Sequence, residues 1–236
     1  MMKYIYLLLF MAMSSSTIWA QNVVFSHEPV DKSEETFGPN RFKFAHSTFS
    51  FGGFIPGAES DRVTIAPEYN WGKSYYVQFG ARYKTKLAKA LAICFDWGYT
   101  FNRVYFEDYE GAMSPEDLNY NFNSRAENTR ILMHELYAEF NIRVVANNRG
   151  NVIGNYLDVG AYGTWQFANS SRSEYEGLDV KEFTPDFDNR LYYGFQARLG
   201  WNHIAIPVRY RAMNIIYDDL GWSIPPYSIG IEFSFY

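Results

Sequence analysis

RILMHELYAEFNIRVVANNRGNVIGNYLDVGAYGTWQF, residues 130–167, decides the fold class. In its first half Leu132, Leu136, Ala138, Phe140, Ile142 and Val144 fall on one face of an extended chain, and Glu135, Tyr137, Glu139, Asn141 and Arg143 fall on the other. In its second half Leu157, Val159, Ala161, Trp165 and Phe167 alternate with Tyr156, Asp158, Tyr162, Thr164 and Gln166. A period of two makes both halves strands, joined by the polar turn Ala146-Asn147-Asn148-Arg149-Gly150-Asn151. The apolar row is long enough to cross a bilayer, while the opposite row carries charge. A soluble sandwich hides its apolar row inside. A membrane barrel turns that row toward lipid and encloses the polar one, and this second arrangement is the expectation.

The same alternation extends along the chain. Phe42–Phe54 reads as a first strand, with neither face assigned to lipid. From Tyr75 to Thr85, Tyr75, Val77, Phe79, Ala81 and Tyr83 point out, and Gln78, Gly80, Arg82 and Lys84 point in. Leu91, Ile93, Phe95, Trp97, Tyr99 and Phe101 alternate with Ala92, Cys94, Asp96, Gly98, Thr100 and Asn102. Towards the C-terminus, Leu191, Tyr193, Phe195, Ala197, Leu199 and Trp201 form one row against Tyr192, Gly194, Gln196, Arg198 and Gly200. Ile206, Val208, Tyr210 and Ala212 then oppose Arg209, Arg211 and Met213. Tyr227, Ile229, Ile231, Phe233 and Phe235 close the chain, with Ser228, Gly230, Glu232 and Ser234 between them.

Short turns near Leu87-Ala88-Lys89, at 146–151 and at Asn202-His203 alternate with long loops at Ile55–Lys73, Glu107–Asn128, Ala168–Asp188 and Asp218–Pro225. Outer-membrane barrels show this asymmetry, with short periplasmic turns and long extracellular loops. The expected fold is all-β: a closed, antiparallel, up-and-down transmembrane β-barrel of eight strands, residues 42–236, with both termini periplasmic. Ten strands would result if Arg62–Tyr69 formed a full strand and the N-terminal tail supplied another.

Composition bounds the remainder. Aromatics make up 19% of the 236 residues, which suits the aromatic girdles of a membrane barrel as well as an aromatic-rich soluble β protein. A mean hydropathy of −0.29 is compatible with a barrel, because interior and loop residues dilute the lipid face. Met1-Met2-Lys3, the apolar run Tyr4–Met13 and a small residue, Ala20, before Gln21 read as a secretory signal peptide over residues 1–20. Its loss would remove Lys3 and take the net charge from −5 to −6, so no basic balance favours nucleic acid. Residues 21–41, with Glu28, Asp31, Lys32, Glu34, Glu35, Pro29 and Pro39, lack a period and read as a periplasmic tail or, alternatively, a plug. The lone cysteine, Cys94, permits no internal disulfide. No Gly-rich phosphate loop, metal-ligand pair or nucleophile elbow is found, so no catalytic residue, metal or cofactor is expected.

Several stretches resemble the small outer-membrane barrels of the OmpX and OmpW type, most closely a Bacteroidetes-type branch without assigned activity. They are His46-Ser47-Thr48-Phe49, Gly80-Ala81-Arg82-Tyr83-Lys84 and Phe95-Asp96-Trp97-Gly98-Tyr99. To these are added Arg149-Gly150-Asn151, Ile153-Gly154-Asn155-Tyr156-Leu157-Asp158 and the aromatic C-terminal strand. The resemblance spans Arg41–Tyr236 and implies a location in the cell outer membrane. Contacts with its lipids and lipopolysaccharide, and insertion by the barrel-assembly machinery, would follow. Such chains usually end on an outward Phe; here Phe235 is outward and Tyr236 follows it.

Inside the barrel, the turns suggest a register that sets Asp96, Glu139 and Asp158 side by side. Arg82 would approach Asp96, Arg198 would lie beside Asp158, Arg209 one strand further, and Arg211 near Glu232. Carboxylates confined together repel unless arginine intervenes, and bidentate Arg–carboxylate pairs resolve this best. The expectation is an ion-paired polar core that includes Glu135 and Arg143 and fills a narrow barrel. Trp97, Tyr99, Phe101, Trp165, Phe167, Trp201, Tyr227, Phe233 and Phe235 are the expected lipid-interface aromatics. His134 falls on the lipid-facing side, with Phe101 or Arg103 and Gly163 or Trp165 as expected neighbours and no Ser or carboxylate nearby. The acidic loops (Glu107, Asp108, Glu110, Glu116 and Asp117; Glu174, Glu176, Asp179, Glu182, Asp186 and Asp188) are solvated segments or a rim for an extracellular ligand. The leading expectation is a non-enzymatic barrel, structural or presenting loops. An OmpW-like conduit for small solutes comes second, and an outer-membrane lipid enzyme third.

Overall fold

The computed structural model describes residues 38–55, 68–109, 126–146, 153–175, 178–183, 190–213 and 224–236. The expected signal peptide, residues 21–37 of the tail, most of the 146–151 turn, and the loop acids Glu110, Glu116, Asp117, Glu176, Asp186 and Asp188 lie outside them.

Every alternating stretch forms a strand, because one row of each faces out and the other in. Among the described residues, eight long strands form an antiparallel ring: β1 (Lys43–Ile55), β3 (Tyr75–Ala88), β4 (Leu91–Tyr109), β5 (Ala126–Val145), β6 (Asn155–Tyr175), β8 (Leu191–Trp201), β9 (Ile204–Arg211) and β10 (Tyr227–Phe235). Chain neighbours are ring neighbours, and β1 pairs with β10 to join the two ends of the chain. Two short strands stand outside the ring. β2 (Glu68–Tyr69) pairs with the far end of β4, and β7 (Leu178–Phe183) pairs with the far end of β6. Of Arg62–Tyr69, the described part, Glu68–Tyr69, contributes an extension above the ring; residues 62–67 lie outside the described residues, as does most of the tail that would supply a tenth strand.

The short turns and both described chain ends share one end of the ring, called here the turn end; the long connections share the other. Asn202, at φ 54°, makes the two-residue turn between β8 and β9, a conformation that asparagine tolerates well. Its side-chain oxygen accepts from the Tyr236 hydroxyl at 2.6 Å, which ties the last residue to that turn. Pro39 and Asn40 are buried at the same end, and Lys84 Nζ donates to the Pro39 carbonyl.

Three details depart from expectation. Strands β4, β5 and β6 run past the expected loop boundaries, and Ala168–Asp188 is largely the β6–β7 hairpin. A bulge interrupts the β5–β6 ladder: His134 pairs with Ala168 and Glu135 with Gln166, leaving Phe167 without a partner position. Below the bulge even-numbered β6 residues point inward; above it Ser171 does, and Arg172 points out. The β9–β10 ladder lapses between Ile229↔Val208 and Glu232↔Ala205, around Pro207, which has no N–H to give.

Burial is inverted relative to a water-soluble core. Arg82 and Arg143 are 0% exposed and Arg198 1%, whereas Phe79, Phe195 and Phe235 are 53–59% exposed. Exposed Leu136, Phe140, Ile142, Val159, Leu199, Val208 and Ile231 continue the outward apolar band.

Candidate functional site

The middle of the ring holds the ion pairs. Antiparallel pairing sets Arg82 directly opposite Asp96 and Asp96 opposite Glu139, so three inward side chains meet on adjacent strands. Arg82 Nε donates to both Asp96 carboxylate oxygens at 2.9 Å, and its Nη2 reaches Glu232 Oε2 at 3.0 Å. Arg143 forms a two-pronged pair with Asp158, Nε to Oδ1 at 2.7 Å and Nη2 to Oδ2 at 2.8 Å. Arg198 is the hub. Nη1 reaches Asp96 at 3.2 Å and Asp158 at 3.0 Å, and Nη2 reaches Glu139 at 3.0 Å. Its Nε lies 3.1 Å from Glu232 Oε2 without hydrogen-bond alignment, so that contact is an ion pair only. Arg209 donates to Glu139 and, at 3.2 Å, to Gln196 Oε1. Among the described residues this layer sets Arg82, Arg143, Arg198 and Arg209 against Asp96, Glu139, Asp158 and Glu232, a balanced set. Neutral donors complete it: Gln196 Nε2 lies 2.7 Å from Glu139, and Gln78 Nε2 lies 3.4 Å from it.

The glycines in the inward rows make room for rings. A Cβ on Gly200 would stand 2.0 Å from the Tyr156 ring, and one on Gly80 would stand 2.0 Å from the Tyr137 hydroxyl. Tyr156 in turn lies under the Arg143 guanidinium, 3.7 Å from its ring centre.

Two expected partners are corrected. Asp158 is not level with Glu139; Tyr162 is, and Asp158 faces Arg143 instead. Arg211 is remote from Glu232. It lies near the long-connection end, donating to the Ile224 and Pro225 carbonyls, while Glu232 faces Ala205. Glu135 also sits toward that end, accepting from the Tyr192 hydroxyl at 2.7 Å and from Gln166 Nε2 at 3.1 Å. The Arg82–Glu232 bridge has no local signal in the sequence, since it joins strands separated by β1 and needs the closed ring to bring them together.

Apolar clusters flank the charged layer at both ends among the described residues. Phe54, Tyr76, Val104, Phe106, Ile131, Met133, Tyr162, Tyr192 and Ile224 cluster toward the long-connection end. Val145, Ile153, Tyr156 and Ala205 cluster at the turn end. Between Glu135, Arg209, Arg211, Tyr162 and Tyr192 a cavity of about 40 Å³ remains, room for a few water molecules.

All nine expected lipid-interface aromatics lie on outward rows. Trp97 sits at mid-strand, opposite Ala81 and Ala138, and so belongs to the middle of the band and not to its edge. His134 faces Phe101 as expected, but the bulge puts Ala168, not Gly163 or Trp165, on its other side. Its Nδ1 is 2.6 Å from the Tyr99 hydroxyl, and the Tyr99, Phe101 and Phe167 rings surround it. No Ser or carboxylate hydrogen bond to His134 occurs among the described residues. Nor does any group of three or more His, Cys, Asp or Glu among them stand where it could hold a metal ion. No family model matches the chain, and no curated protein matches it.

Above the ring, Glu107 Oε1 accepts from Asn70 Nδ2 at 2.6 Å and Lys73 Nζ at 3.2 Å, fastening the 3₁₀ turn Trp71–Lys73 to β4. Those two hydrogen bonds hold the Glu107 carboxyl below its ordinary value. A depressed folded value means that the clamp is intact above the usual carboxylate range and is lost as pH falls through the lowered value. Glu107→Gln at neutral pH, or wild type in acid, is expected to speed amide exchange at Asn70 relative to Gly98 in the same sample.

Proposed function

We propose that the chain is an integral β-barrel of the outer membrane. It resembles the OmpX and OmpW type, with a closed, ion-paired interior and no enzymatic role, and it serves as a structural element or as a platform for its long connections. The observation that carries this reading is the inversion of burial: arginines and carboxylates fill the ring, while an unbroken apolar band covers its outside. In water such a surface would be an aggregation hazard; in a bilayer it is the solvated face. The eight-strand ring is of a width that side chains fill, and here the charged layer and both apolar clusters occupy it. The shared turn end of the two chain ends supports termini on the periplasmic side, and the run over residues 1–20 supports export.

Planar-bilayer recording of the refolded protein tests the closed interior. The expected trace has no steady conductance above the bare bilayer. Sustained steps would favour the conduit instead.

A further inference from the structure

We infer that the cavity between Glu135, Arg209 and Arg211 binds a small zwitterion of the amino-acid class, its carboxylate held by the two arginines and its ammonium by Glu135. The inference concerns the interior of the ring and goes beyond the proposed function, which assigns that interior no ligand.

Charges at the cavity are arranged differently from those in the middle layer. There, Asp96, Glu139, Asp158 and Glu232 each touch a guanidinium. At the cavity, Glu135 and Arg211 bear on each other through space, yet no ion pair joins them among the described residues. Glu135 accepts from Tyr192 and Gln166 instead, and Arg211 gives Nη2 to the Ile224 and Pro225 carbonyls. Both are buried, at 1% and 9% exposed. Opposite charges in a poorly hydrated interior gain by meeting, and these two line one cavity without doing so. Tyr192 spaces them. Its ring centre is 5.7 Å from the Arg211 guanidinium carbon, and its hydroxyl donates to Glu135 at 2.7 Å.

The arginine wall is fixed in place and has donors to spare. Gly194 stands opposite both Tyr162 and Arg211. A Cβ there would come within 2.6 Å of the Tyr162 ring, so the glycine lets that ring lie inward, 5.6 Å from the Arg209 guanidinium carbon. Arg209 spends Nε on Gln196 and Nη2 on Glu139. That leaves Arg209 Nη1, with Arg211 Nε and Nη1, without a partner among the described residues. Unlike the Nη1 atoms of Arg82 and Arg143, these three are not walled in by protein. Guanidinium groups anchored by their other bonds are pre-oriented for a carboxylate. Across the cavity, Glu135 keeps lone pairs beyond its two bonds, and the faces of Tyr162 and Tyr192 attract an ammonium. A ligand with one charge would satisfy one wall only. A zwitterion satisfies both and leaves the net charge of the interior unchanged. The volume of about 40 Å³, near that of three waters, limits the class to its smallest members, glycine first.

Isothermal titration of the full-length protein in neutral detergent compares glycine, acetate, methylammonium and leucine. Glycine should bind, acetate and methylammonium should each bind at least tenfold more weakly, and leucine should give no heat. Glu135→Gln removes the acid but keeps its shape, so glycine should lose at least tenfold and acetate should then bind as well as glycine. Thr164→Leu fills the cavity with the charges untouched and should abolish binding. Tryptophan fluorescence checks that each variant is folded; if one is not, the order of the four compounds on wild type decides alone. Absence of glycine binding would mean that the cavity holds water only and would overturn the proposal. So would equal binding of glycine and acetate, or of glycine and leucine, to wild type. Glycine binding undiminished in folded Glu135→Gln would place the ligand elsewhere and overturn it as well.

Discussion

Replacing Arg198 with alanine is expected to destabilise the folded ring by about 3–5 kcal/mol, the range for breaking a buried ion pair from one side. Arg198 stands within 3.2 Å of Asp96, Glu139, Asp158 and Glu232. Its removal leaves those carboxylates in a buried layer flanked at both ends by apolar clusters, with one fewer cation among them. Arg198→Lys keeps a charge but has no planar fork, so it should fall between wild type and alanine. Arg198→Met paired with Asp96→Asn removes one charge of each sign and should recover part of the loss. Urea unfolding of protein folded into vesicles, followed by tryptophan fluorescence, gives the ordering. An alanine variant within about 0.5 kcal/mol of wild type, the usual range for an unremarkable surface change, would mean that the network is not buried as described.

The second large effect is expected on the opposite face. Ala197 points outward near mid-strand in β8, flanked by Val159 and Val208 across the ladder. In a bilayer, Ala197→Arg should cost about 2–4 kcal/mol, whereas Ala212→Arg, near the end of the band, should cost only about 0–1 kcal/mol. If the same surface met water, both substitutions would be close to neutral and would improve solubility. The depth dependence is therefore the discriminating result. Equal, small effects at the two positions would remove the membrane from the account.

The alternation of side chains made the faces of the strands legible, and with them the inward set of charges. Register was legible only where a turn was tight. The turn after Ala88 is short, so Arg82 could be set against Asp96 from the sequence, and the structure agrees. The sequence centres the turn between β5 and β6 at 146–151, but Ile153 and Gly154 also stay outside the strands, with Gly154 at φ 76°. The pairing is thereby displaced, and Asp158 meets Arg143 in place of Glu139. Arg211 departs from its expected neighbour Glu232 for a related reason. The connection from β9 to β10 is long, and a long loop does not constrain which residues pair. The bulge at Phe167 had no glycine to announce it, so the hairpin beyond it and the outward turn of Arg172 were hidden in the sequence. The Arg82–Glu232 bridge depends on closure of the whole ring, which no local pattern reports.

The interrupted ladder at Pro207 sets where the ring is easiest to part. The first and last strands are held together over nine consecutive positions, from Ser47↔Phe235 to Ile55↔Tyr227. The neighbouring hairpin of β9 and β10 is briefer and loses its pairing midway. Chain connectivity would suggest that the termini separate first. The hydrogen-bond pattern points elsewhere: under tension the final strand should stay clipped to the opening strand, and the tear should start between the two segments that follow one another along the backbone.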